Sequence, residues 1–272
     1  MFKIFIKKAA CVLLAFCFLL VGCSDTDKPE ENPLETPLES SSDLPANAEP
    51  ETSPETAKKR VAITFDDGPH NVRTREIVDE LGKYGFTATF FVVGNRVDGE
   101  AYRGGETVKY IIEHGHEVGI HGYTHNVYYD ECSAAEFEFE MSETVKAIKA
   151  QVSGYTPVLM RPVGGYITAE RVQSSPYSVI MWNVDSEDYK YAYFPDTELS
   201  AAEQKERVDA IVENVMSQVE DGAIILMHDL YLSTSHATAI ILERLYNEGY
   251  DVVSVSELLG NPAPGTKYNS AQ

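Results

Sequence analysis

Short apolar runs alternate with helical patterns through residues 60–272, and this alternation sets the strongest limit on the fold. Seven strand-like runs can be read, and they begin at Val61, Ala88, His116, Pro157, Ser178, Ala223 and Asp251. Between them, apolar residues recur at three- and four-residue steps, as in 137–152 and 208–219, which is typical of helices. Short apolar strands separated by helices predict a parallel sheet. Seven repeats favour a seven-stranded (β/α) barrel, one short of the eightfold form, with a doubly wound sheet as the alternative.

Polar side chains stand where five of these runs end. They are Asp66 and Asp67 after the first run, His121 and His125 after the third, Arg161 after the fourth, Asp185 and Asp188 after the fifth, and His228 after the sixth. The carboxyl ends of parallel strands meet at one rim, and barrel enzymes build their active sites there from different loops. We therefore expect these residues to form one site.

The sequence HGYTH places His121 and His125 so that both imidazoles can reach one point. Taken alone, this spacing also fits a pair of hydrogen-bonded surface histidines. A carboxylate from another strand favours a metal site, because two His and one Asp leave a divalent ion with an open position for catalysis. These ligands do not discriminate strongly between zinc, cobalt, nickel and other divalent cations.

The neighbouring acids Asp66 and Asp67 repel each other and are costly to bury unless a positive charge compensates. If one of them ligates a dication, the other can stay ionised beside it and take a proton from water. The metal lowers the pKa of such a water toward ~7. A solvated turn before Gly68 and Pro69 is the alternative.

Five short motifs, TFDDGP, HGYTH, RPVGG, DSEDY and LMH, occur in this order. They resemble the five motifs of polysaccharide deacetylases, the NodB-homology enzymes of carbohydrate esterase family 4. The resemblance extends from Arg60 to about Leu259. It implies a distorted, seven-stranded (β/α) barrel, a zinc-type divalent cation, and removal of N-acetyl or O-acetyl groups from sugars.

The resemblance also implies a role for each matching residue. The implied metal ligands are Asp67, His121 and His125. Asp66 is similar to the general base of these enzymes, and Arg161 to the partner that holds its carboxylate. The resemblance thus assigns the two neighbouring acids to different tasks.

The remaining implied roles concern the leaving group and the acyl pocket. His228 resembles the general acid, and Asp188 the carboxylate that orients and charges it. The Gly164 amide would help to hold the oxyanion, and Leu226 would line the acyl pocket. Amide cleavage needs a proton at the departing nitrogen, because an amide anion is a very poor leaving group.

Tyrosines are common in or beside the loops that carry the motifs. They are Tyr123, Tyr128, Tyr129, Tyr166, Tyr189, Tyr191 and Tyr193. An aromatic ring can support the apolar face of a pyranose, so we expect some of them, Tyr166 and Tyr189 first, to contact a sugar. We expect at least half of the set to be ordinary packing or surface residues.

The sequence departs from the family pattern in three motifs. Gly122 stands where a hydroxyl residue usually follows the first metal histidine, which removes a possible hydrogen bond behind that ligand. Val163 and Gly164 replace a proline and a tyrosine, which is expected to open one wall of the groove. Tyr189 replaces a tryptophan. These changes bear on the substrate rather than on the reaction type.

The first 59 residues differ in composition from the rest. Residues 1–22 have three lysines and a short apolar run, which is typical of a secretory signal. The sequence LVGC resembles a lipoprotein cleavage site and implies a diacylglycerol on Cys23, with a chance cysteine after an ordinary signal as the alternative. Residues 23–59 are rich in Pro, Glu, Ser and Thr and are expected to form a disordered acidic tether. Residues 60–272 are the expected catalytic domain.

Charge excludes one class of partner. The chain carries −21, the predicted signal holds three lysines and no acid, and 23–59 hold ten acids and three lysines, so 60–272 carry −17. A nucleic-acid binder needs a basic footprint, and none is visible. We expect an acetylated glycan as substrate, contact with a membrane only through the N-terminal lipid, and no obligate protein partner.

The sequence therefore predicts a metal-dependent deacetylase of N-acetylated sugars, with cell-wall peptidoglycan N-acetylglucosamine as first substrate. The expected location is outside the cell, anchored by lipid to the outer face of the cytoplasmic membrane. A chitooligosaccharide deacetylase or a xylan O-acetyl esterase is the alternative with the same chemistry. A non-catalytic wall-binding lipoprotein is the alternative of another class.

Overall fold

The computed structural model describes residues 58–100, 103–191 and 199–271. Its strands are β1 (Lys59–Asp66), β2 (Thr89–Val92), β3 (Glu117–Ile120), β4 (Leu159–Met160), β5 (Ser178–Ile180), β6 (Val184–Asp185), β7 (Ile224–His228), β8 (Tyr250–Val252) and β9 (Lys267–Tyr268). Its helices are α1 (Arg73–Tyr84), α2 (Gly94–Val97), α3 (Gly104–Glu113), α4 (Ala134–Gln151), α5 (Ala169–Ser174), α6 (Ala201–Met216), α7 (Leu232–Asn247) and α8 (Val255–Leu259). The predicted signal, Cys23 and nearly all of the tether lie outside the described residues. Among the helices just named, none has the length and apolar character needed to cross a membrane.

The strands form one sheet in which the paired strands run parallel, as the alternating pattern predicted. Eight strands follow the order β6-β7-β1-β2-β3-β4-β5-β9, and β8 pairs off this path with the first residues of β1. The predicted count of seven strands was therefore wrong.

Two local events account for the difference in strand number. The fifth predicted run is broken into β5, which pairs with β4, and β6, which pairs with β7 at the other end of the order. In addition, β9 forms near the C-terminus and pairs with β5. Only residues 181–183 separate β5 from β6, so these two strands, from distant places in the order, lie within about 14 Å of each other. The sheet is thus curved into a distorted barrel.

The two faces of the central strand β1 have different surroundings. Val61, Ile63 and Phe65 belong to the large core between the sheet and the helices. Ala62 points the other way, into a smaller interior cluster with Phe91 and others. Because side chains alternate along a strand, Asp66 faces the same interior as Ala62. The barrel interior therefore opens at its carboxyl end onto charged groups.

Candidate active site

A pocket of about 380 Å³ opens at the carboxyl ends of the strands, a size typical of small-molecule sites. Its lining residues are Asp66, Asp67, His121, His125, Tyr128, Val163, Gly164, Tyr166, Trp182, Asp185, Tyr189, Leu226 and His228. Nine residues with an implied or expected role are among them, and so is Asp185, which the pattern of strand ends placed at this rim. Two more, Arg161 and Asp188, lie fully buried behind the pocket and hold residues that line it. Cys23 lies outside the described residues.

The neighbouring aspartates both reach the pocket because the backbone turns between them. Asp66 is the last residue of β1, and its side chain follows the interior face of that strand. In an extended chain Asp67 would point to the opposite face. Asp67 instead has a φ of 72°, in the left-handed region that Asp tolerates better than most residues. This turn brings its carboxylate toward the histidines that follow β3.

Asp67, His121 and His125 form the set that could hold a cation, and their ligand atoms lie within 4.8 Å of one another. Asp67 Oδ1 is 2.8 Å from His125 Nε2 and 3.3 Å from His121 Nε2. His121 Nδ1 lies 2.9 Å from the Arg161 carbonyl oxygen, to which it can donate, leaving Nε2 as the ligand atom. Burial alone would raise the pKa of Asp67, but the two histidines hold it far below its usual range.

One buried oxygen that lacks a hydrogen-bond donor among the described residues tests whether these residues fit a metal ion. Asp67 Oδ1 is buried, and no group in the described ranges donates a well-oriented hydrogen bond to it. A buried carboxylate oxygen without such a donor is costly unless a cation occupies its lone pairs. The donor set of two imidazoles and one carboxylate is also the one found in catalytic sites with an open position. The residues therefore fit a divalent cation.

Asp66 is paired with a permanent charge rather than with the histidines. Its Oδ1 accepts a hydrogen bond of 2.9 Å from Arg161 Nη1, and its Oδ2 lies 3.7 Å from His121 Nε2. Arg161 is completely buried, where it also donates to Thr64 Oγ1 and to two backbone carbonyls at the β5–β6 connection. Its guanidinium stacks 4.4 Å from the Phe91 ring centre. One oxygen of Asp66 is thus held, while the other faces the predicted ligands.

On another side of the pocket, Asp188 holds His228. Its Oδ1 lies 2.6 Å from His228 Nδ1, and its Oδ2 accepts from the His228 backbone N–H at 2.8 Å and from Thr234 Oγ1 at 2.7 Å. Burial would lower the pKa of His228, but the Asp188 charge and hydrogen bond outweigh burial and raise it to about 10. With Nδ1 engaged, the imidazolium presents Nε2 to the pocket.

Aromatic rings form the pocket walls. Tyr128 and Tyr166 are half-exposed and meet edge to face with ring centres 5.2 Å apart. Gly164 has a φ of 61°, and a Cβ there would lie 2.9 Å from the Tyr166 ring. Tyr166 therefore fills the space that replacement of the family tyrosine by Gly164 was expected to open. Tyr189 stands beside His228, with ring centres 6.0 Å apart.

The structure describes six of the seven predicted rim tyrosines, because Tyr193 lies outside the described residues. Three of the six, Tyr128, Tyr166 and Tyr189, line the pocket. The other three do not: Tyr129 is fully buried, Tyr191 packs against the large core, and Tyr123 meets Phe139 edge to face.

Three residues near the site were not singled out from the sequence. Trp182, the single tryptophan of the chain, lines the pocket from the β5–β6 connection; it lies inside the fifth strand-like run, so the pattern of strand ends did not mark it. Asp229 is buried against Gly68 and accepts a hydrogen bond from Thr74; burial raises its pKa to about 7. Glu140 on α4 holds the His121–His125 loop, and no local pattern marks it.

Comparison with known proteins agrees with this architecture. The chain matches the Polysaccharide deacetylase family over residues 53–176. It is 36% identical over 201 residues to the peptidoglycan-N-acetylmuramic acid deacetylase PdaC of Bacillus subtilis, a match that covers 74% of this chain and 39% of PdaC. The chain thus spans well under half the length of that relative.

Two further relatives are matched over most of their length. A peptidoglycan-N-acetylglucosamine deacetylase of Bacillus cereus is 33% identical over 208 residues, with 74% of this chain and 89% of that protein covered. A solved family 4 acetyl xylan esterase of Clostridium thermocellum, in complex with a cobalt ion, has a TM-score of 0.66 at 29% identity, and the match covers 78% of this chain and 98% of that one. Because nearly the whole Bacillus cereus enzyme is matched at this identity, the chain belongs to the polysaccharide deacetylase family.

Proposed function

We propose that this chain is a metal-dependent hydrolase that removes acetyl groups from N-acetylated sugars of a polysaccharide, with peptidoglycan N-acetylglucosamine as the first substrate. One observation carries the proposal: a single pocket combines the Asp67–His121–His125 set with a held carboxylate and a held imidazolium. The names of the PdaC and Bacillus cereus relatives support peptidoglycan as the substrate class.

The proposed base is Asp66. A divalent cation held by Asp67, His121 and His125 would supply a Lewis acid that polarises the acyl carbonyl and makes water more acidic. Asp66 Oδ1 accepts a hydrogen bond from Arg161, which fixes the plane of the carboxylate and places a positive charge beside it. The other oxygen, Oδ2, faces the ligand set and can accept the proton of the attacking water.

The proposed acid is His228. Its raised pKa keeps the imidazole cationic at neutral pH, and Nε2 is the nitrogen left to donate. Donation to the departing nitrogen releases an amine instead of an amide anion. Leu226 precedes His228 by two residues on β7, so both side chains face the barrel interior. Leu226 and Trp182 would then enclose the acetyl methyl, and the Gly164 amide would help to hold the oxyanion.

Zinc is the proposed cation, and cobalt or nickel remain compatible with the same ligands. The cobalt ion in the xylan esterase structure supports a divalent cation in this fold. The buried Asp67 Oδ1, which lacks a well-oriented hydrogen-bond donor in the described part of the chain, supports a divalent cation independently.

The proposed setting is the outer face of the cytoplasmic membrane. The composition of residues 1–22 and the LVGC sequence support an exported protein anchored by a lipid on Cys23. A flexible tether of about 36 residues would give the domain a root-mean-square reach of roughly 30–36 Å. This reach would let the site sample wall glycan close to the membrane.

An O-acetyl esterase acting on xylan is the second candidate, and the likeness to the Clostridium thermocellum enzyme favours it. An ester needs less help from an acid than an amide does, so the charged His228 favours the N-deacetylase. Acetate release from purified peptidoglycan, chitooligomers and acetylated xylan, with and without chelator, distinguishes these activities.

The central variant for this test is Asp66→Asn. We expect it to abolish acetate release while the cation content, measured by elemental analysis, stays at the wild-type level. His125→Ala should lose the cation, and Asp209→Asn on the exposed face of α6 should retain both properties. Activity retained in Asp66→Asn would refute the base. No acetate release by the cation-loaded wild type on any substrate would favour the non-catalytic wall-binding alternative.

A further inference from the structure

A buried acid outside the pocket holds the loop between the two histidines. Glu140 on α4 is only 1% exposed. Its Oε2 accepts hydrogen bonds from the backbone N–H groups of Tyr123 at 2.6 Å and Thr124 at 2.9 Å, and its Oε1 accepts from Thr124 Oγ1 at 2.6 Å. Two of the three residues that separate His121 from His125 are therefore tied to one carboxylate.

The same loop is held from its other side by α2. The Gly94 N–H donates to the Gly122 carbonyl at 2.9 Å, and the Asn95 N–H donates to the Tyr123 carbonyl at 3.0 Å. The N–H groups of the loop thus face Glu140 while its carbonyls face a helix start. These hydrogen bonds on both sides of the loop are important because the loop backbone is in an unfavourable conformation: Gly122 and His125 both have positive φ, at 80° and 61°. A loop of this shape needs outside contacts to keep one conformation.

Gly122 makes room for this arrangement. A Cβ at that position would lie 2.4 Å from Tyr129 Oη and 3.0 Å from Glu140 Oε2. Tyr129 is fully buried, so its ring has little freedom to move away. A side chain at this position, including that of serine, would therefore collide with groups that already occupy the place.

We propose that Glu140 is a positioning residue for the cation site, and that Gly122 is required because Glu140 and Tyr129 occupy the space that a side chain at this position would need. This inference rests on the proposed cation site. Glu140 lies outside the pocket lining and acts by fixing the separation and orientation of the His121 and His125 rings. Residues in such supporting positions typically change metal affinity by about 10–100-fold when they are removed.

The test measures zinc affinity rather than turnover. Zinc is titrated into the cation-free full chain in competition with a chromophoric chelator at fixed pH, and thermal unfolding of the same samples is recorded. Glu140→Leu removes all three acceptor contacts at similar volume, and we expect the zinc dissociation constant to rise about 10–100-fold. Glu140→Gln keeps one carbonyl oxygen for the backbone N–H groups and should recover most of the loss. Glu138→Gln, on the exposed face of the same helix, is the matched control and should bind as the wild type does.

Gly122→Ser gives a second and independent reading. Introducing a serine side chain should weaken zinc binding, because the backbone at this position has a positive φ and the space for a side chain is filled. The inference is overturned if Gly122→Ser binds zinc more tightly, or if Glu140→Leu lowers the unfolding temperature without changing the dissociation constant. If His125→Ala also leaves the dissociation constant unchanged, the cation site itself is refuted, which separates failure of the proposed function from failure of this inference.

Discussion

The charge on His228 depends on one buried carboxylate, so the variant Asp188→Asn tests the proposed acid directly. Asp188 is fully buried and contacts His228 through both of its oxygens. Asparagine has nearly the same volume and keeps a carbonyl oxygen for the His228 backbone N–H. The substitution therefore removes the negative charge with little change in packing.

The size of the effect follows from opposing influences on the pKa of His228. Burial lowers its pKa, while the charge and hydrogen bond of Asp188, followed by the charges of Asp67 and Asp66, raise it, with a net change from 6.5 to about 10. Removing the Asp188 carboxylate takes away the first of these raising influences, so the pKa should fall toward its ordinary value. A pKa at the ordinary value of 6.5 would lower the cationic fraction at pH 8 from about 99% to about 3%. We expect kcat on an N-acetylated glycan to fall by up to about 30-fold at pH 8, and much less at pH 6, where more of the imidazole is protonated again.

The assay that does not depend on turnover is an NMR titration of the imidazole resonances of His228 in cation-free protein. Asp185→Asn is the control, because Asp185 accepts from the Glu187 N–H and the imidazole of His228 is held by Asp188 instead. The Asp185 charge acts on His228 without a hydrogen bond, so this variant should lower the His228 pKa much less than Asp188→Asn does. A wild-type pKa near 6.5, or an Asp188→Asn pKa that stays near 10, would contradict the assignment of His228 as an acid charged by Asp188.

Two further predictions concern the barrel interior and the aromatic wall. Arg161→Leu should lower the free energy of unfolding in urea by about 3–5 kcal/mol, because it leaves the Asp66 carboxylate buried without its partner. Adding Asp66→Leu to the same chain should recover part of this loss. If stability is not recovered, the unpaired Asp66 carboxylate is not the cause of the loss. Tyr166→Ala should raise KM for chitotetraose about two- to tenfold with kcat unchanged, since the ring would support a sugar face. Tyr246→Ala, which removes an exposed ring that packs on Tyr84 and Phe86 instead of the pocket, is the control, and an equal KM change in both variants would count against a sugar contact at Tyr166.

The position of the site could be predicted from the sequence because it depends on a local property, the residue at which each strand ends. Asp66, His121 and His228 follow directly from that pattern. The division of the fifth run into β5 and β6 could not be predicted, because it depends on which distant strands each half pairs with. The role of Glu140 could not be predicted for a related reason. Its hydrogen-bond partners lie 16 and 17 residues away in the sequence, and an acid inside an amphipathic helix has no local pattern that indicates burial.

The paired aspartates show why their roles needed three-dimensional information. Each acid has its own compensating group. The more buried acid is paired with a permanent charge, and the more exposed acid with groups that can bind a cation. Asp66 is the more deeply buried of the two and is held by Arg161, whose charge cannot be lost. Asp67 is closer to the solvent and faces two imidazoles, a set that can exchange a cation with the surroundings. A left-handed turn of one residue is enough to separate these two environments. This turn gives the physical reason that adjacent, like-charged residues can take the different roles that the family resemblance implies for them.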